Sequence, residues 1–224
     1  MDWSQVKSLT IPEGDVKSVA IGGTTVWTKP NPLPYDAEVE YLATTGTQYI
    51  RTGVVPNGLN VFKFAAMIPI QGGSDRAVFA VDSGAAGRDG VSVSIYNNNT
   101  IFGYKNGYTI VAQPPFTKKS YVIDGGEFYI DGTLVADRGT ARCENNNEIV
   151  LFAWNRNGSV LQVSGEVRIY NFKAYDENND LIRDFVPVRF TNELGNSEGA
   201  MYDRVSGQLF GNAGSGVFTI GPDK

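Results

Sequence analysis

Turn-forming residues recur along this chain so often that no helix of three turns is read anywhere in it. Asn97-Asn98-Asn99, Asn106-Gly107, Asp124-Gly125-Gly126, Asp131-Gly132 and the polar stretch from Asn155 to Ser159 follow one another in close succession. Glycine and asparagine tolerate positive φ, so each cluster marks a tight reversal rather than a helix interior. The runs between them alternate with a period of two. Val91, Val93 and Ile95 interleave with Ser92, Ser94 and Tyr96, and Glu127–Ile130 faces Thr133–Ala136 across Asp131-Gly132, the strongest hairpin signal in the chain. About a dozen short strands predict an all-β sandwich in place of alternating βα units.

The block Gly165 to Phe190 sets the expected centre of the fold. It reads as a strand, a polar turn at Asp176–Asp180, and a returning strand that stops near Pro187. Val167, Ile169 and Asn171 are expected on one face, with Arg168, Tyr170 and Phe172 on the other. Upstream, Val160 through Tyr175 reads as one long strand bent at Gly165, and Ile149 through Trp154 as a compact apolar strand. Residues 1–29 read as a small β appendage of three short strands, too few to hold a core alone. Residues 30–37 carry Pro30, Pro32 and Pro34 and form an extended linker, and 38–224 form the main domain.

Composition excludes several functions. The chain has 224 residues, no histidine, one cysteine and a formal charge of -5. Without histidine, Ser-His-Asp and Cys-His catalysis and the commonest zinc ligand are gone within one chain. A lone Cys143 rules out an intrachain disulfide framework. No basic stripe suits nucleic acid, and no run of about twenty apolar residues suits a bilayer. Glu38 and Glu40 share strand spacing but sit beside the linker with no apolar surroundings, so no catalytic pair is assigned and the chain reads as a non-enzyme.

Three segments carry a resemblance: Val39 to Gly53, VEYLATTGTQYIRTG; Gly165 to Arg189; and Gly199 to Phe210, GAMYDRVSGQLF. In this order they resemble the concanavalin A-like, laminin-G-like jelly roll domains of phage and prophage tail or virion proteins and of gut bacterial surface proteins. The resemblance implies a jelly roll sandwich of two antiparallel sheets with six or seven strands each, an adhesive or structural role, and a place on a virion or bacterial surface. It implies glycan as ligand in some relatives. The E-x-D-x-x-E pattern of related glycosidases is missing, since Val167 and Arg168 follow Glu166.

Glycan binding needs aromatic platforms and a few fixed polar groups. The candidates are Tyr104 and Tyr108, expected to project together from the hairpin at Asn106-Gly107, then Tyr96, Trp154 and Arg156, with Asn98, Asn106 and Asn155 near turns. Set against this, Trp154 ends an apolar run and suits a core, and the asparagines suit turn geometry. Asp82, Asp89, Asp124 and Asp131 lie by glycine-rich loops and could offer oxygen ligands to calcium, although solvated turn aspartates explain them better and no metal is assigned. Partners expected are glycan, other virion or surface proteins docking through the N-terminal segment, and further copies of the chain. A structural decoration module without glycan binding is the competing reading.

Overall fold

A computed structural model describes the backbone of residues 18–21, 24–28, 33–56, 60–69, 76–84, 89–162 and 165–224. The chain divides into two compact units, Met1–Leu33 and Pro34–Lys224. In the first, Ser18–Ile21 pairs antiparallel with Thr24–Thr28, Val19 opposite Trp27. The other elements expected there, Val6 to Thr10 and the Gly22-Gly23 turn, lie outside the described residues, as does Trp3.

The second unit is an all-β sandwich of two sheets, and no helix occurs among the described residues. The eight-stranded sheet runs in the order Gly107–Val111, Asn99–Tyr104, Gly90–Tyr96, Arg76–Asp82, Val150–Leu151, Ile50–Arg51, with Ala153–Arg156 and Ser159–Gln162 attached beside Arg76–Asp82. The eleven-stranded sheet runs Thr133–Asp137, Glu127–Ile130, Lys119–Asp124, Val61–Met67, Val167–Tyr175, Leu181–Thr191, Ser197–Asp203, Gln208–Phe210, with Ala37–Glu38, Leu42–Thr44 and Thr219–Ile220 attached. The strand counts exceed six or seven because turns and irregularities cut several strands into pieces of two or three residues. Asp131 and Gly132 both take positive φ, 49° and 81°, as a two-residue turn of the mirror-image type requires.

Aromatic rings join the sheets. Phe79 of the eight-stranded sheet lies 5.8, 5.2 and 5.3 Å, centroid to centroid, from Phe62, Phe64 and Phe172 of the other. Phe102 stacks on Phe128 in the same way at 4.7 Å. These tilted and offset contacts are the arrangements ring quadrupoles favour.

The central hairpin forms, with three departures from expectation. A bulge between Ile169 and Asn171 resets the alternation of Val167–Tyr175. Val167, Ile169, Phe172 and Ala174 therefore face the core, while Asn171 joins Arg168 outside. The predicted strand 160–175 is two strands in different sheets. Gly165, with φ 115°, lies on the crossing, and a Cβ there would meet the Arg76 side chain at 2.2 Å. Finally, Leu181–Thr191 runs straight through Pro187. Its carbonyl accepts from Val39 N–H at 2.9 Å, so the missing proline N–H faces that same flank and the ladder to Ser197–Asp203 stays intact.

Two of the segments that carry the sequence resemblance act as separate structural latches. Gln48 is buried. Its Oε1 accepts from the Thr44 hydroxyl and the Thr45 N–H, both at 2.9 Å, and its Nε2 donates to Thr47 Oγ1 at 2.9 Å and to Ser215 O at 3.2 Å. Asp203, fully buried, accepts from Asp184 N–H at 2.8 Å and from the Ser206 hydroxyl at 2.7 Å. The TTGTQ and YDRVSG stretches thus hold loops to sheets.

Candidate carbohydrate-binding face

Residues opposite one another on neighbouring strands point to the same side of a sheet. Tyr108 is opposite Gly103, Gly103 opposite Ser92, Ser92 opposite Ala80, and Ala80 opposite Trp154. This row crosses the eight-stranded sheet on the side away from Phe79 and Phe102, its outer face. Four strand spacings separate its ends, roughly 19 Å. Tyr96 shares the face, four residues beyond Ser92 on one strand, and Arg156 joins it two residues beyond Trp154. Ser92 and Ala80 are buried, so the exposed atoms lie at the two ends: Tyr108 on one side, half-buried Trp154 and Arg156 on the other.

The Trp154 end is the more highly organised. Phe152, buried against Phe218, adopts φ 67°, a left-handed conformation that costs a bulky residue about 1–3 kcal/mol. It reverses the chain. Val150–Leu151 pairs antiparallel with Arg76–Asp82, whereas Ala153–Arg156 pairs parallel with the same strand, placing Arg156 opposite Asp82. The Asp82 carboxylate, 3% exposed as a residue, then gathers three donors. Trp154 Nε1–H donates to Oδ2 at 2.6 Å, Arg156 Nε–H to Oδ2 at 3.3 Å, and Gly84 N–H to Oδ1 at 2.8 Å. The Arg156 guanidinium carbon lies 5.8 Å from the Trp154 ring centre, within cation–π range. The Asn157-Gly158 turn, both φ positive, closes the hairpin alongside. One buried carboxylate thus fixes both an indole and a guanidinium, each still reaching the surface.

The other predicted residues fall elsewhere. Tyr104 does not accompany Tyr108. The turn pairs Tyr104 with Gly107 and Tyr108 with Gly103, so the two rings leave opposite faces. Tyr104 is 3% exposed and belongs to the core, which removes it as a platform, whereas Tyr108 is 67% exposed. Asn106 is exposed at the tip of that turn. Asn98 supplies left-handed geometry at φ 66°, and buried Asn155 donates to Glu148 O at 2.8 Å. Sequence reasoning placed Asp82 among loop aspartates and missed its role, because its partners reach it only through the reversal at Phe152.

The remaining loop aspartates are engaged by cations or exposed. Asp89 pairs with Lys105 at 3.1 Å and Asp131 with Lys119 at 2.8 Å, the latter contact holding the Asp131 carboxyl below its usual range. Asp124 is exposed at a turn. Among the described residues no three His, Cys, Asp or Glu side chains converge as a metal site, and no helix is long and apolar enough to cross a membrane.

Burial pushes the Tyr104 hydroxyl up to about 12, and burial, then the neighbouring Asp89 carboxylate, pushes the Cys143 thiol up. Burial likewise raises Tyr121. Each group is held protonated in the fold where the unfolded chain would release its proton, so their contribution is complete below the unfolded values and is lost as pH rises through the folded ones. Thermal stability is therefore expected to hold below pH about 8.5 and to fall between about 8.5 and 12. Melting curves across that range check this. In Cys143→Ala the fall starts near pH about 10, where the buried tyrosines begin to ionise in the unfolded chain.

No protein family model matches the chain, and no curated protein sequence does. Among solved structures, the chain is similar to a Bacillus licheniformis beta-glucanase at 16% identity, over 58% of this chain and 77% of that one, with a TM-score of 0.39. It is also similar to the CBM40 of a Ruminococcus gnavus IT-sialidase bound to alpha2,3 sialyllactose, at 10% identity, over 61% and 87%, with a TM-score of 0.36. Likenesses this distant carry no functional weight.

Proposed function

We propose that the outer face of the eight-stranded sheet binds carbohydrate without transforming it, in an adhesion or receptor-binding role on a phage virion or bacterial surface. The observation that carries this is the Asp82-anchored pair of Trp154 and Arg156. An indole offers a flat apolar face to a sugar ring, and a guanidinium offers donors to its hydroxyls or carboxylate. Anchoring both removes part of the ordering cost of binding. The non-catalytic reading rests on the neighbouring carboxylates, since Asp82 is occupied by three donors and Glu148 by Arg51 at 2.7 Å and Gly53 N–H at 2.8 Å. The surface location rests on the sequence resemblance of the Val39–Gly53, Gly165–Arg189 and Gly199–Phe210 segments. A screen against arrayed bacterial and mucosal glycans, with and without calcium, tests the reading. Saturable binding to a defined glycan is expected, and silence across acidic and neutral glycans alike overturns it in favour of a purely structural module.

A further inference from the structure

Gly107–Val111 ends the eight-stranded sheet, with Asn99–Tyr104 on one flank and, among the described residues, no strand paired on the other, where Arg138 borders Gly107 and Tyr108. The turn makes Tyr104 and Gly107 the closing hydrogen-bonded pair, so Thr109 and Val111 also bond inward. Tyr108 and Ile110 therefore direct their N–H and C=O groups outward. Among the described residues, only the Tyr108 carbonyl meets a donor, Arg138 Nη1, at a long 3.4 Å. The side chains of the same two residues are 67% and 55% exposed.

Edges of this kind are ordinarily protected by charge, proline or a bulge. The opposite sheet follows that rule: its terminal strand Thr133–Asp137 carries Asp137 and sits across an irregular register from Glu127–Ile130. The sequence GYTIV has no charge and no proline, and its register with Asn99–Tyr104 is regular.

We infer that this edge pairs with the same edge of a second copy of the chain, antiparallel, about a two-fold axis at Thr109. Tyr108 then lies opposite Ile110 of the partner, and the reverse, so the outward groups of both residues form four backbone hydrogen bonds. Each tyrosine packs on an isoleucine, an aromatic and β-branched cross-strand pair. The arrangement sets Asn106 opposite Ala112 and Lys105 opposite Gln113, so no residue of one strand faces a like charge on the other, and Arg138 of each copy shares the Tyr108 carbonyl with the incoming strand. The two outer faces become one continuous face, and the two Trp154–Arg156 pairs act on one multivalent ligand.

Sedimentation of the whole chain over a wide concentration range, without glycan, tests the inference separately from the carbohydrate reading. Wild type is expected to shift from monomer to dimer with concentration. Ile110→Lys, which sets charge at the seam, is expected to weaken dimerisation by about tenfold or more. Ile110→Pro removes only an outward N–H, so it should do the same while melting as wild type does. Leu134→Lys, on the other sheet's edge, should leave dimerisation unchanged. A wild type that stays monomeric throughout, or a dimer indifferent to both Ile110 variants, overturns the inference.

Discussion

Replacing Phe79 by alanine is expected to lower the stability of the sandwich by about 3–5 kcal/mol. The ring is fully buried and is the one aromatic of the eight-stranded sheet that touches Phe62, Phe64 and Phe172 together. Its removal forfeits the transfer free energy of the ring and leaves a cavity between sheets whose backbones cannot close on it, since both are fixed by their own ladders. Chemical denaturation of wild type and variant measures the difference. A loss under about 1 kcal/mol would mean that the sheets are not joined at Phe79.

Asp82→Ala is expected to cost about 2–4 kcal/mol and to weaken carbohydrate binding together with stability. The substitution strands the indole N–H of Trp154 and the N–H of Gly84 without their acceptor. Arg156 contributes less, because its side chain is 38% exposed and water can replace the carboxylate. Arg156→Ala separates the two effects: it leaves the buried carboxylate its two remaining donors, so stability should change by less than about 1 kcal/mol while affinity falls. Equal losses in both variants would assign Asp82 a purely structural role.

The sequence was most legible where local chemistry decides the backbone. Asp131-Gly132 has the residues its turn demands, and the hairpin formed as expected. Legibility failed where one residue alters the count. The bulge at Ile169–Asn171 moved Phe172 to the core side, and Gly165 sent one apparent strand into two sheets. The first shows in the sequence only as a switch of the apolar positions from Val167 and Ile169 to Phe172 and Ala174, and the second only as a glycine that reads equally as a bend within one strand. Tyr104 and Tyr108 are a different case. A two-residue turn necessarily puts residues four apart across it on opposite faces, so the pairing could have been excluded by counting. For the candidate site, Trp154 and Arg156 were both singled out, but as a strand end and a turn residue, not as neighbours on one strand. Asp82 was not legible as their anchor, because the parallel pairing that delivers them to it depends on a buried phenylalanine taking a left-handed conformation, which no residue preference encodes.

The most direct test of the carbohydrate reading is a calorimetric titration of wild type and Trp154→Ala with the best glycan from the array, each protein first shown to melt cooperatively. Saturable binding by wild type, weakened tenfold or more in the folded variant, by about 1.4 kcal/mol or more, is the predicted result. Equal affinity in both proteins would place the ligand elsewhere and contradict the assignment of this face.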